Sequence, residues 1–139
     1  MRKVATRELL APREDVWAFL AQPHRFADWW PGVAAVEPDR RGLAVGARWE
    51  LRAGGTPSLA NRPGTPSHLL VHRAERPHLA AWHLTKGELD VELRLDAVDA
   101  GRTRATLSVS GRVLLGTRRD LARRALSRLY DLCQTGAAA

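Results

Sequence analysis

Residues 9–33 read LLAPREDVWAFLAQPHRFADWWPGV, and this stretch says most about how the chain folds. A strand-like run from Val4 to Leu10 leads into it, and Pro12 suits the first turn of a helix, where its missing N–H is not needed. A second short helical piece, His24 to Asp28, ends at Trp29-Trp30-Pro31-Gly32, because proline disfavours helical geometry in the preceding residue. Two adjacent tryptophans at such a stop indicate the mouth or the floor of an apolar space.

Beyond residue 33 the apolar pattern changes from helical to alternating, which indicates β-strands. The clearest run is 89–95, where Leu and Val alternate with charged residues. Ala105 to Val113 repeats this alternation after a hairpin connection at Asp99-Ala100-Gly101. Further strands are predicted over 33–36 (a short edge strand), 47–53, 68–74 and 79–84. One apolar and one charged face are typical of an antiparallel sheet covered on one side.

The last segment, Leu114 to Cys133, is predicted as one long helix that covers this sheet. Its apolar residues fall on one arc of the helix, and its charged residues lie opposite. About twenty helical residues span ~30 Å, which is long enough to cross a curved sheet. Gly116 and Thr117 lie near the predicted start, so the helix either begins after them or kinks there.

This order of strand, two short helices, antiparallel strands and one long terminal helix resembles the START-like (SRPBCC) superfamily. The resemblance is to its bacterial polyketide cyclase/dehydrase and lipid-transport branch in particular. It implies an α+β helix-grip (Bet v 1-like) fold, in which a curved antiparallel sheet grips the C-terminal helix, as a single domain over 1–139. It also implies a cavity between sheet and helix that holds a hydrophobic small molecule, such as a lipid or a polyketide-like or aromatic compound.

Candidate cavity residues come from the opening stretch, the apolar sheet face and the long helix. They are Trp29, Trp30, Trp49, Trp82, Leu93, Val109, Arg118, Ala122, Leu126 and Leu129. Ligand sites are mostly apolar, and so are closed cores. Residue type alone therefore leaves open whether these side chains line a pocket or pack a solid core.

His68 and His72 share one face of a predicted strand, so their orientation bears on catalysis. That strand carries apolar residues on both faces: Leu69 and Val71 on one, Leu70 and Ala74 on the other. If the face with Leu70 is buried, the imidazoles point at the cavity; if the face with Leu69 is buried, they point at solvent. An inward His72 would favour an enzyme, and an outward one would leave the cavity without a base.

Arg118 lies near the middle of the apolar arc of the predicted helix. A guanidinium there would sit at one end of the cavity and bind a ligand carboxylate, phosphate or phenolate in bidentate fashion. Alternatively, Arg118 lies in a frayed first turn and reaches solvent. With His72 and Tyr130, it completes a short set of weak candidates for catalysis.

Residues 54–67 form an expanded connection, rich in Gly, Pro, Ser and Thr, in which Gly55–Ser58 recurs as Gly64–Ser67. Hairpins need only about 2–5 linking residues. The segment is therefore interpreted either as a lid over the cavity or as a surface insertion.

Composition limits the partners. The net charge is +7, but 20 of the 22 cations are Arg and they are spread along the chain. No aromatic residues interleave with the C-terminal arginines. Nucleic-acid binding is therefore not expected. No apolar run approaches the ~20 residues of a membrane span, and no hydrophobic leader follows Met1, which favours a soluble cytoplasmic protein. The single cysteine excludes an intramolecular disulfide. The sequence has no metal-binding or cofactor-binding motif, so we expect neither a metal ion nor a cofactor.

Three functions of different class fit these observations. We favour binding or carriage of a hydrophobic small molecule, because the predicted inward face has few ionisable groups. The alternative is a polyketide cyclase/aromatase-type enzyme that acts in the same cavity and uses His72 or Tyr130 with Arg118. A weaker third is a partner-binding module that acts through the arginine face of the last helix.

Overall fold

The computed structural model describes residues 2–53, 66–111 and 120–138, with side chains up to residue 134. Within these ranges the strands are β1 (Arg2–Leu9), β2 (Val33–Glu37), β3 (Arg48–Ala53), β4 (Ser67–Glu75), β5 (Leu79–Leu84), β6 (Leu89–Asp99) and β7 (Arg102–Ser110). The helices are α1 (Arg13–Leu20), a 3-10 turn (Pro23–Arg25), α2 (Phe26–Trp29) and α3 (Leu121–Ala138).

The seven strands form one antiparallel sheet in the order β1-β7-β6-β5-β4-β3-β2. From β2 to β7 each strand pairs with its sequence neighbour, and β1 adds to the far edge beside β7. β2 is an edge strand, as its short pattern predicted, and β6 turns into β7 at Ala100 and Gly101. Together with a long C-terminal helix, this arrangement confirms the predicted α+β helix-grip fold.

Apolar and charged residues alternate along the strands, so that one face of the sheet is apolar and buried. In β6 the four apolar residues from Leu89 to Leu95 are at most 4% exposed, while the charged residues between them face outward. α3 packs against β1, β7 and α2 with its predicted apolar arc. This helix continues to Ala138 rather than ending at Cys133, and its predicted start at Leu114 lies outside the described residues.

The opening stretch folds as its prolines and tryptophans predicted. Pro12 caps α1, with its carbonyl oxygen accepting hydrogen bonds from the backbone N–H groups of Asp15 and Val16 at 3.0 and 3.1 Å. Trp30, which precedes Pro31, has an extended backbone (φ −88°, ψ 120°) and ends α2. The short α2 therefore delivers Trp30 to the junction with β2, beside the start of α3.

Candidate ligand pocket

A pocket with a volume of about 520 Å³ lies beside the first turn of α3. Its described wall combines the α2–β2 connection, the end of β3, the start of β4, the β5–β6 turn and α3. That volume is within the range of about 300–1,000 Å³ typical of small-molecule sites. The described lining residues are Trp30, Pro31, Gly32, Val33, Leu51, Arg52, Ala53, Ser67, Leu84, Lys86, Leu89, Leu121 and Arg124.

The apolar wall of this pocket consists of five large side chains: Trp30, Leu51, Leu84, Leu89 and Leu121. Each of them is at most 8% exposed. Strand pairing brings them together, because Leu84 and Leu89 lie directly opposite each other in the β5–β6 register. The adjacent ends of antiparallel strands therefore present a continuous apolar surface to the first turn of α3.

Three cationic side chains lie at the rim of the pocket. Arg52, Lys86 and Arg124 are exposed residues on the wall, and the described part of the wall contains no Asp or Glu. Arg52 Nη2 is 3.6 Å from a Glu37 carboxylate oxygen and 3.8 Å from one of Glu50. We call these three cations the cationic rim.

Five aromatic rings form a cluster next to the pocket: Phe26, Trp29, Trp30, Trp49 and Trp82, with the centroids of contacting rings 5.3 to 6.2 Å apart. Four of these rings also border a void of about 10 Å³, which has room for roughly one water molecule. Trp30 is the exception, since it lines the large pocket instead. The cluster therefore belongs to the packed core on one side and to the wall of the pocket on the other.

Two indole N–H groups in this cluster differ in their partners. Trp49 Nε1 donates to the carbonyl oxygen of Gly42 at 3.1 Å. Trp82 Nε1 is buried, and no group in the described ranges accepts its hydrogen bond. A buried donor without an acceptor destabilises the folded state. The hydrogen bond of Trp49 therefore stabilises the protein, whereas the unpaired N–H of Trp82 destabilises it.

The fold agrees with a family comparison. Residues 1–136 match the family described as polyketide cyclase / dehydrase and lipid transport. The chain belongs to this family. The resemblance read from its opening stretch and terminal helix is therefore confirmed, and among curated proteins none shows significant sequence similarity to it.

Solved structures show the same fold for this polyketide cyclase/dehydrase-family chain. The Aha1 dimer from Colwellia psychrerythraea matches with a TM-score of 0.71 at 14% identity over 98% of both chains. XoxI from Bacillus cereus matches with a TM-score of 0.71 at 9% identity over 98% of this chain and 97% of its own. DynU16, a protein in the dynemicin biosynthetic locus, has a TM-score of 0.68 at 19% identity, over 97% of this chain but 48% of DynU16. At these identities the likeness concerns the fold alone.

The other apolar candidates lie in the core of this family member rather than on the pocket wall. Trp29, Trp49 and Trp82 pack in the aromatic cluster. Leu93, Val109, Ala122, Leu126 and Leu129 are at most 3% exposed between the sheet and the helices. Arg118 and the connection 54–65 lie outside the described residues, so the expectations about them remain predictions.

A β-bulge in β4 determines the orientation of His72. Leu69 and Val71 are 1% and 2% exposed and face the core. The register then shifts between Val71 and Arg73, after which Ala74 pairs with the buried Ala80. The bulge puts His72 and Arg73 in succession on the exposed side, which explains how Ala74, at an even position, faces inward as Leu69 and Val71 do at odd positions.

His72 and Tyr130 therefore both lie away from the pocket. The His72 ring is 6.3 Å from that of His83, whose Nδ1 is 2.9 Å from a carboxylate oxygen of Asp90 on the outer face. The Arg7 guanidinium lies 4.2 Å above the ring of Tyr130, and the Tyr130 hydroxyl accepts a hydrogen bond from Gln134. Neither side chain is placed to act on a molecule in the pocket.

A second, smaller pocket of about 290 Å³ lies between α1 and α3 and is lined in part by Asp15, Phe19 and Cys133. Burial, reinforced by the negative charge of Asp15, raises the pKa of the Cys133 thiol to about 11. A thiol with this pKa is neutral at physiological pH and is a poor nucleophile. The described residues also include no group of three or more His, Cys, Asp or Glu placed to hold a metal ion.

Several pocket residues were not among the sequence-based candidates, including Leu51, Leu84, Leu89 and the cationic rim. The periodicity did contain a partial signal, because Leu51 shares a strand face with Trp49 and Leu84 shares one with Trp82. The periodicity did not indicate at which position along the strands the pocket lies. That position depends on contacts between segments far apart in sequence.

Proposed function

We propose that this protein binds a hydrophobic small molecule in the pocket of about 520 Å³ beside the start of α3. The observation that carries this proposal is the apolar wall of Trp30, Leu51, Leu84, Leu89 and Leu121 around a space of ligand size. Burial of apolar ligand surface against this wall would drive binding. Membership in the polyketide cyclase/dehydrase and lipid-transport family supports the same ligand class.

Binding or carriage is favoured over catalysis by the chemistry of the wall. Among the side chains that enzymes usually employ as proton donors and acceptors, the described lining residues include Lys86 but no His, Asp, Glu, Cys or Tyr. His72 and Tyr130 lie elsewhere, as described above. A cyclase acting in this pocket stays the alternative, supported by the family description and by the biosynthetic locus of DynU16.

The proposal is tested with N-phenyl-naphthylamine, a neutral dye whose fluorescence rises in apolar surroundings. We expect saturable binding to the native protein and displacement by dodecanol. Leu89→Trp fills the pocket and should weaken dye binding at least tenfold. Val45→Trp is the matched control, because Val45 is 66% exposed and outside the described wall, and this variant should bind the dye as the parent does.

Two results would contradict the proposal. One is the absence of saturable binding by either neutral compound to the folded parent protein. The other is equal dye affinity in Leu89→Trp and the parent, which would place the bound dye outside this pocket. Circular dichroism of each variant establishes that it is folded before its binding is compared.

A further inference from the structure

We infer that the apolar molecule bound in this pocket carries a neutral oxygen acceptor, such as a carbonyl, ether or hydroxyl oxygen, and that the indole N–H of Trp82 binds this oxygen. The inference rests on the proposed function, since it concerns the ligand class of the same pocket. It adds the polar group of the ligand and the protein atom that recognises it, neither of which the apolar wall specifies.

The unpaired donor of Trp82 is the first observation. Trp82 is 4% exposed, and its Nε1 has no hydrogen-bond acceptor in the described part of the chain. Among the buried side-chain nitrogen and oxygen atoms of the described ranges, no other atom lacks a partner. Proteins pair almost all such groups, because a buried donor without an acceptor destabilises the fold. The indole N–H is therefore available to an acceptor that arrives with a ligand.

The position of Trp82 on the sheet is the second observation. Trp82 and Leu84 are buried on the same face of β5, about 7 Å apart at roughly 3.3 Å per residue, and Leu84 lines the pocket. Trp30 also lines the pocket, and the centroid of its ring is 6.0 Å from that of Trp82. A ligand that lies against Trp30 and Leu84 is thus adjacent to the indole of Trp82.

The void beside the aromatic cluster is the third observation. Trp82 borders this space of about 10 Å³, which has room for roughly one oxygen atom of the size of a water molecule. The described side chains around it are Leu, Phe and Trp residues, and none of them contains an oxygen. A water molecule there would lack most of the roughly 2–4 polar partners that buried waters have. A ligand oxygen needs only the indole N–H, because the rest of the ligand is held by the apolar wall.

The surroundings of Trp82 favour a neutral acceptor over a carboxylate. Its ring contacts those of Phe26, Trp29 and Trp30, with centroids 6.0 to 6.1 Å apart. No Arg or Lys occurs among the described residues that border the void. An ionised group buried among aromatic rings without a cation is strongly disfavoured. A ketone, ester, ether or alcohol oxygen is therefore the acceptor that fits.

The test compares 2-octanone with 2-methyl-1-octene, in which a CH₂ group replaces the carbonyl oxygen, as displacers of N-phenyl-naphthylamine. Trp82→Phe removes the indole N–H and keeps an aromatic ring. We expect this variant to bind 2-octanone about fivefold more weakly than the parent does, in line with the loss of one hydrogen bond. Its affinity for 2-methyl-1-octene should equal that of the parent.

Trp49→Phe is the matched control, because it removes from the same cluster an indole N–H that already donates to Gly42. It should change the affinities for the two compounds by the same factor. If Trp82→Phe also changes both affinities by one factor, the inference is overturned and the binding function stands. Failure of the dye to bind the folded parent, or of both compounds and dodecanol to displace it, would instead remove the proposed function itself.

A second readout is the proton resonance of the Trp82 indole N–H, identified by its loss in Trp82→Phe. Saturation of the parent protein with 2-octanone should move this resonance downfield, as a new hydrogen bond does, and saturation with 2-methyl-1-octene should not. The same resonance position with both compounds bound would show that the ketone oxygen does not reach Trp82, and would likewise overturn the inference.

Discussion

The sheet–helix interface has a closed region and an open region, built from the same kind of residue. In the closed region Leu93, Val109, Leu126 and Leu129 are at most 1% exposed. In the open region Leu89 and Leu121 border a space of about 520 Å³. Leu89 and Leu93 lie on the same face of β6, about 13 Å apart at roughly 3.3 Å per residue. The location of the pocket thus depends on position along a strand and not on residue type.

The largest expected effect comes from a charge placed in the closed region. Leu126→Asp should destabilise the protein by about 4 kcal/mol or more, because it buries a carboxylate without a partner. Urea unfolding measures this loss, with Arg128→Asp on the exposed face of α3 as the control, expected within about 0.5 kcal/mol of the parent. A Leu126→Asp variant as stable as the parent would show that α3 does not pack on the sheet.

Truncating matched leucines in the two regions sharpens the comparison. Leu93→Ala should cost about 3 kcal/mol, because it creates a cavity in solid core. Leu89→Ala should cost about 1–2 kcal/mol less, since its side chain already borders open space and no new closed cavity forms. Denaturant unfolding of both variants gives the difference in free energy of unfolding. Equal losses would mean that the pocket is closed in solution.

The aromatic cluster forms the boundary between the two regions and offers a smaller test. Trp49→Phe removes the hydrogen bond to the Gly42 carbonyl, whereas Trp82→Phe removes a buried N–H without an acceptor. We expect Trp82→Phe to be about 1 kcal/mol less destabilising than Trp49→Phe. The reverse order in thermal unfolding would show that Trp82 has a hydrogen-bond partner, such as a bound water.

The smallest effect concerns Cys133, on the far side of the closed region. Because its pKa is raised to about 11 in the folded state, iodoacetamide should react slowly with the native protein at neutral pH. Unfolding in urea should restore the ordinary thiol pKa of about 8.5. Because the thiol of Cys133 binds its proton more tightly in the folded state, the protonated thiol favours the folded protein. This contribution to stability is complete below about pH 8.5 and is lost as the pH rises towards 11. A native alkylation rate equal to that in urea would contradict the burial of the thiol.

The architecture could be predicted because each element carries its own local signal. Alternation identified the strands, and Trp30-Pro31 identified the end of α2. The orientation of His72 could not be predicted, because the bulge in β4 moves inward residues from odd to even positions within one strand. A bulge depends on pairing with β5 and leaves no reliable mark in the sequence.

The pocket was predicted less well than the fold. Its wall includes Trp30, which the sequence indicated, but also Leu51, Leu84 and Leu89, which read as ordinary strand residues. Their role follows from the register that places strand ends together beside α3. The cationic rim joins three separate segments, so no spacing within one segment could reveal it.

Trp30 belongs to two environments at once, and this makes the protein its own optical reporter. Its ring stacks on Phe26 at 5.3 Å and lies 5.4 and 6.0 Å from the rings of Trp29 and Trp82, while it also borders the pocket. Indoles at such separations couple electronically, so the near-ultraviolet circular dichroism of the cluster depends on the surroundings of each ring. We therefore expect a molecule bound in the pocket to change this spectrum without any label, and Trp30→Phe to reduce that change.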